Sequence, residues 1–335
     1  MVKILSTLGP SSLNKESVQL LSKQGVNLFR INLSHTALKD VEGIISKIQS
    51  WTDVPVCLDS EGAQVRNGFM ESGSIVYQTG DSVTIHPEAI VGDRQNISFT
   101  PDSVFSQLNE GDEISVDFDS AAFRITGIES DQLIATAIVG GRVGSNKGAV
   151  VSKSLKLDPI TPKDKAAFEI GLAIGVKNFA LSFTHCAEDA QQVREIIGEM
   201  TLISKIESIQ GVLNLKEILP LVDQILIDRG DLSREIPIEK IPFIQRGIIA
   251  YARMYATPVY VATNLLESMI DHGSPTRAEA NDVASTLLMG ANGLVLAAET
   301  AIGQYPVESV EMLNAIIKQF DQWSPDMSFQ DIISL

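Results

Sequence analysis

Short runs of Ile, Leu and Val alternate along the chain with longer stretches whose apolar residues recur every three or four positions. The first pattern is typical of buried strands and the second of amphipathic helices. The predicted strands are Lys3–Leu8, Asn27–Asn32, Val54–Asp59, Asn178–Phe183, Leu202–Ile206, Gln224–Ile227, Pro258–Ala262 and Gly293–Ala297. The predicted helices are Lys15–Lys23, Leu38–Ile48, Pro162–Ile174, Ala187–Ile197, Ile209–Ile218, Pro242–Tyr255, Arg277–Met289 and Pro306–Phe320. This alternation predicts an α/β fold, the closed (β/α)8 TIM barrel.

The stretch from about Phe69 to Ala149 interrupts this rhythm. It contains alternating segments such as Ser82–His86 and Gln132–Thr136 without a helical period, which is typical of half-buried strands. Gly, Asn and Ser cluster at its borders, where the chain has to turn. An all-β lid domain inserted after strand three is therefore expected. The predicted organisation is a barrel of residues 1–68 and 150–322, a lid of residues 69–149 and a C-terminal tail of residues 323–335.

Composition narrows the class of protein. A chain of 335 residues suits one large domain with a small insertion. The formal net charge of −16, without a compensating basic stripe, disfavours nucleic acids and membranes as partners. Two cysteines, Cys57 and Cys186, match neither a disulfide framework nor a metal knuckle, and no apolar run suits a signal peptide or a membrane span. We expect a cytoplasmic protein.

Polar residues stand at the ends of most of the predicted strands. In a (β/α)8 barrel the carboxyl ends of the strands surround one pocket, where barrel enzymes place their chemistry. Any one of these residues is explained equally well as a helix cap or an ion-pair partner. Burying a whole set of polar groups in one small volume costs free energy, unless ligands, metals or other members of the set provide partners for these groups. The strand ends therefore predict an active site.

Lys205 and Glu207 end strand five, and Asp231 follows strand six. Two carboxylates suit a divalent metal such as Mg²⁺ with open positions for substrate oxygens, and Lys205 adds positive charge where an oxygen becomes negative. The alternative interpretation is that the carboxylates form ion pairs with Lys205 and Arg229. Gly230 and Asp231 also open a short predicted helix whose backbone N–H groups suit a substrate carboxylate.

A second polar set ends strands two and three. Asn32, Ser34 and Asp59 offer oxygens of the kind that a monovalent or divalent cation accepts, and Arg30 is suited to phosphate oxygens. The alternative is a buried hydrogen-bond network that braces the two strands. The two interpretations are compatible with each other.

Several segments, in their order along the chain, resemble the pyruvate kinase family. They are Ser6–Ser12, Arg30–His35, Leu58–Gly62 with Arg66, Ile203–Glu207, Arg229–Leu232, Ala262–Met269, Pro275–Glu279, Glu299–Ala301 with Gly303, and Tyr305–Pro306. The resemblance implies a Mg²⁺-dependent kinase that transfers a phosphoryl group from phosphoenolpyruvate to ADP, giving pyruvate and ATP in glycolysis. Such a reaction depends mainly on positioning and charge neutralisation.

The resemblance also implies roles for individual residues. Glu207 and Asp231 are expected to bind Mg²⁺, and Lys205 to stabilise the moving phosphoryl group. Thr263 resembles the threonine near the proton donor of the enolate. The backbone at Gly230 and Asp231 is expected to hold the substrate carboxylate.

Contacts to phosphate and nucleotide follow from the same resemblance. Arg30 is expected to contact phosphate, and His35, Arg66 and lid residue Lys147 to lie on the nucleotide side. A monovalent-cation site, for K⁺, is implied at Asn32, Ser34, Asp59 and Ser60.

The sequence departs from the family in several places. It ends at Leu335 where the family usually continues into a C-terminal domain, so effector control is not expected, and a homodimer through barrel helices is expected by analogy. Glu61 and Gln64 replace a lysine and a glutamate beside the cation site. Ser233 replaces a glycine, which would strain the backbone if that position needs a positive φ. Ala297–Ala298 replaces Ser-Gly and removes a hydroxyl from the proton path.

Three functions are compatible with this pattern. The first is a short pyruvate kinase, favoured by its retained charged residues. The second is a metal-dependent lyase or aldolase acting on a pyruvate enolate, or a specialised enzyme using phosphoenolpyruvate, favoured by the changed proton and nucleotide elements. The third, and the least favoured, is a non-catalytic homologue that binds a metabolite or a partner.

Overall fold

The computed structural model describes residues 2–117, 120–153 and 155–334. The strands are β1 (Lys3–Thr7), β2 (Leu28–Asn32), β3 (Val56–Asp59), β4 (Val65–Asn67), β5 (Ser74–Tyr77), β6 (Ser82–His86), β7 (Asn96–Thr100), β8 (Glu113–Val116), β9 (Ala121–Glu129), β10 (Gln132–Val139), β11 (Gly141–Gly144), β12 (Gly148–Val151), β13 (Asn178–Leu181), β14 (Thr201–Ile206), β15 (Gln224–Asp228), β16 (Val259–Ala262) and β17 (Gly293–Leu296). The α-helices are α1 (Lys15–Lys23), α2 (Leu38–Trp51), α3 (Pro162–Ala173), α4 (Ala187–Ile197), α5 (Ile209–Leu213), α6 (Leu215–Ile218), α7 (Arg229–Leu232), α8 (Ile241–Met254), α9 (Arg277–Leu288), α10 (Ala298–Ala301), α11 (Pro306–Gln322) and α12 (Phe329–Ser334). Short 3₁₀ helices lie at Leu33–His35, Glu71–Gly73, Asp102–Gln107, Leu219–Leu221, Ile238–Lys240 and Glu267–Ile270.

The parallel strands close into a barrel in the order β1, β17, β16, β15, β14, β13, β3, β2. These are the predicted strands, so the α/β (β/α)8 TIM barrel is confirmed. The helix predicted over Ile209–Ile218 is divided into α5 and α6 at Asn214. The Asn214 side-chain amide donates a hydrogen bond to the backbone carbonyl of His185 at 2.8 Å. Asn214 has φ −95° and ψ 12°, so the helix is interrupted where this side chain turns to a neighbouring loop.

Barrel-strand residues alternate between two apolar environments. One set packs between the strands and the surrounding helices, for example Phe29 and Phe179. The other lines the barrel interior and consists of Leu5, Leu28, Cys57, Ala180, Ile203, Leu226, Tyr260, Ala262 and Val295. Side chains alternate across a strand, so the residue two positions further on lies on the same face. Applied to these interior residues, the rule gives the polar strand-end positions Thr7, Arg30, Asp59, Ser182, Lys205 and Asp228.

The start of α3 fixes the turn that follows β3. Thr161 and Asp164 form a capping box, in which the Thr161 hydroxyl accepts from the Asp164 N–H at 3.0 Å. The Asp164 carboxylate also accepts from the N–H groups of Glu61 at 2.8 Å and Gly62 at 3.2 Å. Gly62 has φ +73°, and a Cβ there would lie 2.5 Å from the carbonyl oxygen of Ser182. Only glycine suits this turn.

Residues 63–158 form one compact unit, here called the β unit, and residues 1–62 and 159–335 form the other, here called the barrel unit. In the former, strands β10, β6, β7, β4, β12, β8 and β9 form a closed barrel, and β11 pairs with β5. Its core includes Tyr77 and Phe123, whose rings meet edge to face at 5.0 Å. The insertion after β3 is all-β, as predicted.

The predicted domain borders, 68/69 and 149/150, fall inside this β unit. The reason is that β4 and β12 pair with each other, with Arg66 opposite Gly148 and Val65 opposite Ala149. That pairing joins segments far apart in the sequence and places both in the insertion. A lid function for the β unit stays a prediction.

The tail after α11 ends in the short helix α12. Its apolar residues Phe329 and Ile333 are 85% and 86% exposed. Among the residues that the structure describes, none of the helices combines the length and the apolarity required to cross a membrane.

Candidate functional site

Lys205, at the end of β14, lies at the centre of the polar strand ends, with 5% of its side chain exposed. Its Nζ lies 3.0 Å from Glu207 Oε2 and 3.7 Å from both Asp59 Oδ2 and Asp228 Oδ2. It also donates to Ser182 Oγ at 3.1 Å. Burial lowers the pKa of Lys205, but the three carboxylates outweigh burial and raise it overall. The ammonium group is therefore charged at neutral pH.

Glu207 follows β14, and its side chain is fully buried. Its Oε1 accepts the backbone N–H of Phe183 at 2.7 Å. Its Oε2 accepts no hydrogen bond from the described residues, although the Lys205 ammonium lies beside it. Burial, supported by neighbouring carboxylates, raises the pKa of Glu207 against the opposing charge of Lys205. A cation at this oxygen would compensate both the missing bond and the charge repulsion.

The carboxylates of Glu207, Asp228 and Asp231 each offer an oxygen atom, and these atoms lie within 4.8 Å of one another. Hard, negatively charged oxygens are the ligands that Mg²⁺ prefers. The buried oxygen of Glu207 without a hydrogen-bond donor adds to this fit. Asp231 also pairs with Arg234 at 3.1 Å. The residues at these strand ends therefore suit a divalent cation.

Asp228, the last residue of β15, was not among the predicted site residues. Its side chain is 14% exposed. Its Oδ1 accepts the hydroxyl of Thr263 at 2.6 Å and the N–H of Gly230 at 3.2 Å. Burial raises the pKa of Asp228, but Lys205 and the bond from Thr263 outweigh it and lower the pKa overall. The signal that would have found Asp228 is its position two residues after the interior residue Leu226.

Thr263 follows β16 with φ +74°, a conformation that β-branched residues rarely adopt. Arg229 Nε and Nη2 donate to its carbonyl oxygen at 3.0 and 2.6 Å, and Arg229 Nη1 pairs with Asp282 at 2.6 Å. Arg229, the ion-pair partner considered for Asp231, thus engages Thr263 and Asp282. Backbone strain that the surroundings hold in place is typical of functional sites.

The short helix expected at Gly230 and Asp231 is α7. The Gly230 N–H, expected to hold a substrate carboxylate, donates to Asp228 Oδ1, so a substrate oxygen would compete with Asp228 for it. The strain considered for Ser233 is not found, because its φ is −72°. Its hydroxyl donates to the carbonyl oxygen of Gly230 at 2.7 Å.

Arg30 lies near the end of β2 and is buried. Its Nε donates to Asp59 Oδ2 at 2.5 Å, its Nη2 contacts the same oxygen, and its Nη1 donates to Thr7 Oγ1 at 3.0 Å. Burial lowers the pKa of Arg30, but Asp59 and Asp228 outweigh it and raise the pKa. These contacts form the bracing network that was considered as the alternative to phosphate binding.

The residues predicted to bind a monovalent cation lie on adjacent strand ends. Asn32 and Asp59 are in register on β2 and β3. Asn32 Oδ1 accepts the N–H of Ser34 at 3.0 Å, and Asp59 Oδ1 accepts the hydroxyl of Ser182 at 3.1 Å. Ser60 Oγ accepts the N–H of Ser182 at 2.9 Å. Protein donors thus engage three of these four residues, although each oxygen has a second lone pair.

The predicted nucleotide contacts are divided between the two units. His35 ends a 3₁₀ helix of the barrel unit. Arg66 lies in β4 of the β unit, where its Nη1 donates to the carbonyl of Asn146 at 2.8 Å. Lys147 precedes β12, the partner of β4, and its Nζ lies 3.7 Å from Asp117 Oδ1. That these residues share a nucleotide stays a prediction.

Comparisons with known proteins agree with this architecture. A family model described as pyruvate kinase, barrel domain, matches residues 1–310. The pyruvate kinase of Thermotoga maritima is 33% identical over 330 residues, which cover 96% of this chain and 71% of that relative. The pyruvate kinase of Mycobacterium tuberculosis is 33% identical over 325 residues, which cover 94% of this chain and 69% of that relative. The crystal structure of a pyruvate kinase from Cryptosporidium parvum matches with a TM-score of 0.87 at 29% identity, covering 97% of this chain and 70% of that one.

Proposed function

The chain belongs to the pyruvate kinase family, and on this premise we propose that it transfers the phosphoryl group of phosphoenolpyruvate to ADP, giving pyruvate and ATP. The observation that carries the proposal is the buried ammonium of Lys205 beside the carboxylates of Glu207 and Asp228, with Asp231 completing the group. A fixed positive charge next to a divalent-cation site is what a moving phosphoryl group requires.

Glu207 and Asp231 are proposed to hold Mg²⁺. When bound, the ion neutralises charge on the enolate and phosphoryl oxygens and aligns them. Lys205 is proposed to stabilise the phosphoryl group in transit. Because its ammonium is buried and already held by fixed partners, little reorganisation is needed as negative charge develops.

Substrate orientation is assigned to Arg30, Thr263 and the backbone at Gly230 and Asp231. The Arg30 guanidinium is held in place by Asp59 and Thr7, and its fixed charge is proposed to contact a phosphate oxygen. Thr263 is proposed to lie beside the carbon of the enolate that receives the proton. Its hydroxyl is held by Asp228 at 2.6 Å, so its position is defined before substrate binds.

Nucleotide binding is assigned to Arg30, His35, Arg66 and Lys147. In a chain with a net charge of −16, local cations are needed to attract an anionic nucleotide. A homodimer through barrel helices and a cytoplasmic location are further parts of the proposal, tested by the mass in solution and by fractionation of cells.

K⁺ is proposed as the monovalent cation. Its ligands would be Asn32, Ser34, Asp59 and Ser60. The test compares rates in chloride salts of K⁺ and of tetramethylammonium at equal ionic strength. A higher rate in K⁺ supports the assignment, and equal rates overturn it.

The decisive experiment is a coupled assay of ATP formation from phosphoenolpyruvate and ADP with Mg²⁺. Lys205→Ala should lower kcat on the order of a thousandfold, because a fixed charge at the transferred group is lost. The control Lys216→Ala removes an exposed lysine of α6 and should keep full activity. An unchanged rate in Lys205→Ala would contradict the assigned role.

A second candidate is a metal-dependent lyase or aldolase that acts on a pyruvate enolate. It is favoured by Ala297 and Ala298, which leave the end of β17 without a hydroxyl for proton delivery. Release of pyruvate from oxaloacetate or from a 4-hydroxy-2-oxo acid without nucleotide would support it. Strict dependence on ADP would exclude it.

A further inference from the structure

Asp228 adds a carboxylate to a site where two were expected. Glu207 and Asp228 both lie next to Lys205, at 3.0 and 3.7 Å, and share its single positive charge. Arg30 does not supply a second positive charge to these carboxylates at short range, because its guanidinium donates its hydrogen bonds to Asp59 and Thr7. Two largely buried carboxylates beside one ammonium group favour the binding of a further cation.

The two carboxylate oxygens of Asp228 make different contacts. Oδ1 accepts the hydroxyl of Thr263 and the N–H of Gly230. These bonds fix the plane of the carboxylate, and Oδ2 is the oxygen that lies 3.7 Å from Lys205 Nζ. A carboxylate held by one oxygen is preorganised to offer the other to a metal ion.

A second observation at the same place points to a ligand. Oε2 of Glu207 is buried, and within the described part of the chain it accepts no hydrogen bond. Glu207, Asp228 and Asp231 bring their oxygens within 4.8 Å of one another. The cluster therefore contains a buried carboxylate oxygen that accepts no hydrogen bond from the described residues and is compensated only by its ion pair with Lys205.

We propose that Asp228 is a third carboxylate ligand of the divalent cation and strengthens cation binding in the substrate-free protein. This inference rests on the proposed function for the position of the ion. Mg²⁺ is usually held by one or two carboxylates together with water and substrate phosphates. A third carboxylate raises the negative charge of the ligand set and makes binding less dependent on the substrate.

The test is a titration of the full chain with Mn²⁺, without substrate, in which free Mn²⁺ is measured by electron paramagnetic resonance. Asp228→Asn keeps the size of the side chain and an acceptor for Thr263, but removes the charge. We expect it to weaken Mn²⁺ binding on the order of tenfold or more. Thr263→Val removes only the bond to Oδ1 and should weaken Mn²⁺ binding less than Asp228→Asn does.

Glu207→Gln separates this inference from the proposed function. If Glu207→Gln weakens Mn²⁺ binding and Asp228→Asn does not, the inference is overturned and the two-carboxylate site stands. If neither variant changes binding, or if the wild type binds no Mn²⁺, both assignments fail. Thermal melts establish that each variant is folded. Asp228→Ser serves as a second charge-removing variant, with the same expected loss, where Asp228→Asn does not fold.

Discussion

The absence of a side chain at Gly230 leaves room for the hydrogen bond between Thr263 and Asp228. A Cβ at this position would lie 2.8 Å from Thr263 Cγ2 and 3.4 Å from Asp228 Oδ1. The backbone of Thr263 has little freedom to move away, because its conformation is strained and Arg229 holds its carbonyl oxygen. Only the side chain can give way. A methyl group at residue 230 therefore displaces the Thr263 side chain and its bond to Asp228.

We predict that Gly230→Ala lowers kcat on the order of a hundredfold, because a shift of about 1 Å in a positioning group has such an effect. The coupled assay measures this loss. Gly247→Ala is the matched control, since nothing lies within 4 Å of a Cβ built at that position in α8. The control should keep full activity and gain about 0.5–1 kcal/mol of stability. Full activity in Gly230→Ala would contradict the role given to Thr263.

For single residues, the sequence indicated most of the polar strand ends that the barrel brings together, but it did not single out Asp228. Lys205, Glu207, Arg30 and Asp59 follow apolar runs whose ends are easy to locate. The predicted strand ends at Ile227, so Asp228 falls between that strand and the Arg-Gly-Asp motif. Its contact with Thr263 joins two separate strands, and the spacing of residues within one strand does not reveal such a contact.

Between elements, the buried Asp164 couples the start of α3 to the turn after β3. Its carboxylate accepts N–H groups from Glu61, Gly62 and Thr161, and the hydroxyl of Thr161. This turn follows Asp59 and Ser60, so the carboxylate of a helix cap holds the two residues next to the predicted cation site. An ordinary cap satisfies only the groups of its own helix.

Asp164→Ala should lower the free energy of unfolding by about 3 kcal/mol, because it leaves several buried N–H groups without an acceptor. Asn14→Ala is the control, because Asn14 caps α1 by an exposed bond from the Ser17 N–H at 3.0 Å. That control should cost about 1 kcal/mol. Urea denaturation measures both variants, and equal losses would show that Asp164 acts only as a cap.

The loop between β13 and α4 carries a pH-sensitive group. His185 is partly buried, and its backbone N–H donates to Asp189 at 2.8 Å. Burial lowers the pKa of His185 below its usual 6.5, against the opposing carboxylates of Asp189 and Glu235. The unfolded chain therefore takes up this proton at a higher pH than the folded protein does.

We predict that the lowered pKa of His185 contributes to the free energy of unfolding. This contribution is fully present above about pH 6.5 and is lost as the pH falls toward the folded pKa, with a slope of at most about 1.4 kcal/mol per pH unit. His185→Gln removes the titrating group. The difference in unfolding free energy between wild type and variant, measured by urea denaturation from pH 7.5 to pH 5, should therefore change across this range. A constant difference would contradict the predicted titration.

Element positions followed from the sequence more closely than element borders did. Strand and helix patterns arise from local burial, which periodicity records. The division of α5 from α6 depends on the contact between Asn214 and His185, and the borders of the β unit depend on the pairing of β4 with β12. Both are contacts between distant parts of the chain, which local patterns do not contain.

The whole molecule consists of two compact units, each with its own apolar core. The barrel unit contains Glu207, Asp228 and Asp231, the carboxylates proposed to hold the divalent cation. A ligand that binds only the folded form of one unit raises the stability of that unit. Separate cores make separate unfolding transitions the expectation.

We therefore predict that Mg²⁺ raises the melting temperature of the barrel transition in differential scanning calorimetry and leaves that of the β unit unchanged. At 100 times its Kd, the ion adds about 2.7 kcal/mol, which corresponds to roughly 5–10 °C for a unit of this size. Glu207→Gln, and excess EDTA with the wild type, should abolish the shift. An equal shift of both transitions would show that the cation stabilises more than the barrel unit. The absence of a shift at saturating Mg²⁺ would contradict cation binding at the barrel site, because an ion that binds only the folded state must stabilise it.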